Sequence, residues 1–152
     1  MSEINITIDS VALDAALARL LQSSSNLRPA LSAIGHNIAE DIRLGFTNQL
    51  SPAGNPWAQL SAATVANRRQ GSSVPLNDTG LLKNSITHNV NGNSVEIGTN
   101  VIYAAMMNFG GKKSDFPHLW GDIPARNFMP ESQLPADWEA DILTILEQHF
   151  SF

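Results

Sequence analysis

The stretch Ser85-Ile-Thr-His-Asn-Val90-Asn-Gly92-Asn-Ser-Val95-Glu-Ile97-Gly-Thr99 decides the fold class. Ser85 to Val90 reads as extended chain, and Asn91-Gly92-Asn93 as a tight reversal, because Asn and Gly tolerate positive φ. Val95 and Ile97 then alternate with polar neighbours, which makes 94 to 99 the returning strand of a hairpin. Near the N-terminus Ile4, Ile6 and Ile8 alternate with Asn5, Thr7 and Asp9, the period of another half-buried strand.

Helical periods surround these strands. Asp9 or Ser10 can cap a helix running to about Gln22, with Val11, Leu13, Leu17, Leu20 and Leu21 as its apolar residues and the polar 23–26 cluster as its stop. A second helix starts at Arg28-Pro29, where proline's missing amide costs nothing, and carries Leu31, Ile34, Ile38 and Ile42 on one face until about Phe46. Residues 47–60 are loop, rich in turn formers at Ser51-Pro-Ala-Gly-Asn-Pro56. Ser61 is placed to cap a short helix to about Arg69, with Leu60 and Val65 at the positions of a hydrophobic staple.

Residues 70–77 are irregular, with Gly71-Ser-Ser as the expected mobile point, and a turn of helix follows from Thr79 through Lys83. After the hairpin, Val101 to Phe109 reads as a helix ended by Gly110 or Gly111 in a left-handed cap. Gly111 to Gly121 is a loop carrying Phe116-Pro-His118-Leu-Trp120, and Ile123 to Phe128 is expected to be a short strand. Asp137 to Phe150 closes the chain as a helix with Trp138, Ile142, Ile145, Leu146 and His149 at helical spacing. The order predicts an α+β fold: a small, mostly antiparallel sheet packed against several helices, with long loops left for interaction.

Length and composition bound this reading. At 152 residues the chain is expected to form a single domain over 1–152, burying roughly 70% of its unfolded surface. Charged residues make up 15%, below the usual share of about 25%, which leaves neutral surface for copies of itself or partners. The formal charge is −5, and the acids Glu131, Asp137, Glu139, Asp141 and Glu147 follow Arg126 with no Lys or Arg among them. Such a tail repels phosphate, and the scattered basic residues form no stripe, so specific nucleic-acid binding is not expected. Disulfides are impossible without cysteine. The N-terminus has no signal-peptide pattern and no run reaches the roughly 20 apolar residues of a membrane span, so a cytoplasmic origin and no membrane partner are expected.

No catalytic constellation emerges. His36, His88, His118 and His149 lack metal-ligand spacing, so neither a metal nor a cofactor is expected. Gly110-Gly111-Lys112-Lys113-Ser114 resembles part of a phosphate loop, but Lys112 stands where a glycine must precede the Lys-Ser pair. No Gly-x-Ser-x-Gly elbow is present. Paired carboxylates of a glycosidase would need two of the fourteen acids to converge. Arg126 is the charge inside an apolar Ile-Pro-Ala-Arg-Asn-Phe-Met-Pro segment, where its fork can pair with a carboxylate of its own chain or of a neighbour.

At its landmarks the sequence resembles the phage virion morphogenesis, or tail completion, proteins of Mu-like and related contractile-tailed phages. The matching elements are Trp57-Ala-Gln-Leu60-Ser61 with Thr64, Leu76, Thr79-Gly80-Leu-Leu82, Ser85-Ile86, Val95-Glu-Ile97-Gly98-Thr, Tyr103-Ala104, Phe109-Gly110-Gly111 and Ile123-Pro-Ala-Arg126-Asn-Phe128-Met. The Asp115 to Gly121 loop is similar to the Mu-like branch. The family commonly has a His-Gln pair before its Phe-Gly, where this chain has Met107-Asn108.

The resemblance implies a non-enzymatic neck or tail protein, similar to connector proteins that assemble as rings. It implies completion of the tail or its joining to the head, with copies of itself and other phage tail or head-tail connector proteins as partners, first in the host bacterial cytoplasm and then in the virion. A transient capsid-assembly factor is the alternative reading, and a cell-wall hydrolase a third. Trp57, Phe116, Trp120 and Arg126 are the interface candidates, being of residue types that dominate interface energies and lying in or beside the loops.

Overall fold

The computed structural model describes residues 4–7, 11–21, 26–68 and 73–150. The element order is β1 (Ile4–Thr7), α1 (Val11–Leu21), α2 (Arg28–Asn48), α3 (Ala62–Asn67), α4 (Leu81–Asn84), β2 (Thr87–Asn91), β3 (Ser94–Thr99), α5 (Ala104–Phe109) and α6 (Ala136–Phe150). The expected cap at Asp9 or Ser10 and the expected mobile point at Gly71-Ser72 lie outside the described residues.

The sheet is three-stranded and antiparallel in the order β1-β3-β2, so the fold is α+β as the hairpin reading predicts. β3 is central: Ile6 pairs with Ile97 on one side, and His88 with the same Ile97 on the other. Only Gly92 and Asn93 connect β2 to β3, and Gly92 takes φ +61, the positive value a two-residue hairpin loop demands. Val95, Ile97 and Thr99 are buried on the face that meets α2, while Glu96 is exposed between them.

Helix α2 is the spine of the core. Proline in its first turn opens it, Asn26 accepts the Arg28 amide through Oδ1 at 3.2 Å, and Gln49 in the left-handed region closes it. Leu31, Ile34, Ile38, Ile42 and Phe46 recur at helical spacing and are all buried, each contributing about 1.5–3 kcal/mol by leaving water. Gly35 allows this helix to lie directly on the sheet: a Cβ there would come within 2.7 Å of His88 and Val95 side-chain atoms. On the other side α6 brings Trp138, Ile142 and Leu146 into the same cluster of buried hydrophobics. His36, off the apolar stripe, is exposed as its position predicts.

Three sequence expectations give way around α5. The helix begins at Ala104 rather than Val101, because the Thr99 hydroxyl accepts the Val101 amide at 3.1 Å and a turn intervenes before the helix. Gly110 does end it, but at φ +69 and ψ −179 rather than in the left-handed helical region. Ile123 to Phe128 is not a strand; its one sheet-like contact is a bridge from Ile123 to Gly111. Pro124 has no amide for a ladder, and the donors that follow are taken up by α5 instead: the Met107 carbonyl accepts the Arg126 amide at 3.0 Å.

Candidate functional site

The 57–61 and 123–129 segments, at the two ends of the landmark series, are bound to each other. Trp57 is 5% exposed, with its ring edge-on to Phe46 at 5.4 Å and its indole N–H donating to the Asn127 carbonyl at 2.7 Å. Arg126, 6% exposed, donates through Nε to the Ala58 carbonyl at 2.7 Å and through Nη2 to the Gln59 carbonyl at 3.1 Å. These partners are backbone carbonyls, not the carboxylate anticipated for its fork. Burial lowers the Arg126 pKa, with a smaller contribution from the nearby Arg68 charge, yet a guanidinium keeps its proton under ordinary conditions.

Behind this pair stands Asn108. It is 1% exposed, and its Oδ1 accepts the amides of Phe128 at 3.0 Å and Met129 at 3.1 Å. Its own carbonyl accepts the Asn127 side-chain amide at 2.9 Å. Sequence reading noted Asn108 only as a departure from the His-Gln pair. The available signal is its spacing of four residues from Ala104 on α5, which puts both on one buried face where a polar side chain needs a partner.

The 76–82 segment is held from below. Ser61 caps α3 by accepting the Thr64 amide at 3.2 Å, and the Ser85 hydroxyl donates to the Leu82 carbonyl at 2.6 Å while hydrogen-bonding the Thr99 hydroxyl. Gly80 at φ +79 opens α4, and Leu76 adopts φ +59, where a side-chain-bearing residue is uncommon and strained. Surrounding structure holds Leu76 there, since its side chain packs against the core.

These segments enclose one groove of about 830 Å³. Gln59, Leu60, Ser61, Thr64 and Arg68 line it, together with Leu76, Asp78 to Leu82, Tyr103, Met107, Asp122 to Pro124 and Arg126. Landmarks dispersed over the sequence therefore converge on a single feature. Arg68 donates to the Val74 carbonyl at 2.5 Å, and Asp122 accepts the Lys113 amide at 2.9 Å. By contrast Asp78 Oδ1 has no hydrogen-bond partner among the described residues although water does not reach it.

The loop beside the groove is pinned at its root. Gly111 and Ile123 exchange backbone bonds of 2.9 and 2.7 Å, and turns at Lys112 to Phe116 and Phe116 to Leu119 shape its tip. From this support Trp120 projects with 101% relative exposure, and Phe116 with 39%. Of the four interface candidates, Phe116 and Trp120 thus face outward, whereas Trp57 and Arg126 are turned into the domain. Two exposed large hydrophobics, Leu81 and Tyr103, line the groove itself. Among the described residues no group of His, Asp or Glu could hold a metal ion, and no helix is long and apolar enough to cross a membrane.

Residues 8–151 match the sequence profile of the phage virion morphogenesis family. The chain is also 35% identical, over 150 residues, to the Mu-like prophage FluMu G protein 2 of Haemophilus influenzae (strain Rd), a match covering 99% of this chain and 96% of that protein. No solved structure matches it.

Proposed function

The chain belongs to the phage virion morphogenesis family, and from that premise we propose that it is a structural component of the phage neck or tail, completing the tail and enabling head-tail joining as an oligomeric ring. It works by packing against copies of itself and against neighbouring tail or connector proteins. Its place of action is the host cytoplasm during assembly and the finished particle afterwards.

The observation that carries this reading is the exposed apolar surface around the groove. Leu81 and Tyr103, which line the groove, and Phe116 and Trp120, on the loop that leads into its Asp122–Pro124 side, all stay in water in the isolated chain. Apolar side chains gathered in this way, on a framework fastened by side-chain-to-backbone bonds, mark a surface meant to be covered. A ring requires one face to complement a different one, so that each contact passes the same rotation to the next copy.

The test is made on particles. Mass spectrometry of purified virions should find this chain as a retained constituent, and cryo-electron microscopy should place its density at the neck. Absence from purified particles would instead support a factor that acts on the capsid and leaves.

A further inference from the structure

We propose that the groove receives the Trp120-bearing loop of a second copy, the indole seating against Leu81, Tyr103 and Met107. This rests on the self-assembly reading above and gives it a specific contact. The knob is prepared in advance: the loop root is closed by two backbone bonds between Gly111 and Ile123, so little conformational freedom is lost on docking. Trp120 has no hydrogen-bond or ring partner among the described residues, and its whole surface lies in water. Ile123 and Pro124, only a few residues on, already form part of the groove, yet the indole does not fold back into it.

The groove complements this knob in size, apolarity and charge. An aromatic side chain buries about 150–250 Å² on docking, and the groove has room for one beside the flanking loop. Of its charged side chains, Arg68, Arg126 and Asp122 are bonded within the chain, while Asp78 Oδ1 has no donor among the described residues. The half-buried Asp78 carboxylate in the groove lining is the acceptor for the indole N–H and the negative partner for the exposed Lys112 and Lys113 of the incoming loop, which form no ion pair among the described residues.

The test uses the full chain in sedimentation and tryptophan fluorescence. Trp57 and Trp138 are buried, so water-exposed emission reports Trp120. Raising the concentration of the wild type should drive association together with a blue shift of that emission. Trp120→Ala and Leu81→Arg, both at exposed positions, should each weaken association by roughly 30-fold or more, as hot-spot losses do. Mixed together, the two variants should form a one-to-one pair that neither forms alone, since one keeps the groove and the other the knob. Tyr103→Ala serves as a second groove variant.

Association of the wild type that is indifferent to all three substitutions would overturn this contact while leaving self-assembly standing. A strict monomer at every concentration would overturn both. A blue shift independent of concentration would show the indole filling its own groove and would likewise end the proposal.

Discussion

Asn108 holds Phe128 through a bond of 3.0 Å from the Phe128 amide to the asparagine Oδ1, and the same oxygen accepts Met129. Both amides are buried, so removing the acceptor leaves two donors without partners. Asn108→Ala is expected to cost about 3 kcal/mol by this reasoning. Urea denaturation measures it; a loss below about 1 kcal/mol would mean that water enters and replaces the oxygen.

Arg126 joins two segments by satisfying the Ala58 and Gln59 carbonyls, which makes its donors matter more than its charge. Arg126→Met keeps much of the apolar stem but strips the donors, with an expected loss of about 2 kcal/mol. Arg126→Lys should recover only part of it, because a single ammonium cannot reproduce the planar fork. Equal stability of the lysine variant and the wild type in thermal melts would count against the fork.

How much of this was legible in the sequence depends on what fixes each element. Leu31, Ile34, Ile38 and Ile42 state their helix through period alone, and Val95 and Ile97 state their strand likewise, because burial on one face is a local pattern. The 123–129 segment is governed differently. Its amides answer to Asn108 and to the Met107 carbonyl, partners specified by tertiary position, so its apolar look misleads toward a strand. Residue type singled out Trp57, Arg126, Phe116 and Trp120 equally, but only the folded chain separates the two that fasten its interior from the two that remain outside. The groove itself was visible as an ordered series of motifs, without any sign that they meet.

Asp41 lies on α2 beside the acidic start of α6, and its pKa is raised from 3.8, first by burial and then by Asp141, Asp137 and Glu40. A carboxyl group with a raised folded-state pKa binds more protons folded than unfolded between the two values. Its contribution to stability therefore falls as pH rises through that window, and at neutral pH the charged group is a net cost. Asp41→Asn should raise stability by a few tenths of a kcal/mol at pH 7, the screened scale of partly exposed charges. The gain should shrink as pH falls and vanish below 3.8, where both states are protonated. Melting temperatures of the two proteins across this range check it; a gap that widens toward acid would reverse the sign.

Gly110 and Gly92 both take positive φ, at +69 and +61, but their surroundings differ. A Cβ on Gly110 would sit 2.6 Å from both the Ala125 nitrogen and the Ile123 oxygen, backbone atoms of which the second is itself held in the loop root by the Gly111 amide. Its ψ of −179 adds to this, since that conformation is essentially closed to residues with a side chain. On Gly92 the same atom would meet nothing within 4 Å. Gly110→Ala should thus cost more than about 3 kcal/mol from strain and overlap together, whereas Gly92→Ala should cost about 1 kcal/mol from the backbone alone. Because the Gly110 clash falls at the root of the Trp120 loop, hydrogen exchange in Gly110→Ala should quicken at the Gly111 and Ile123 amides before it does so in the β2–β3 hairpin. Uniform quickening across both regions would show that the loop root and the sheet unfold as one unit.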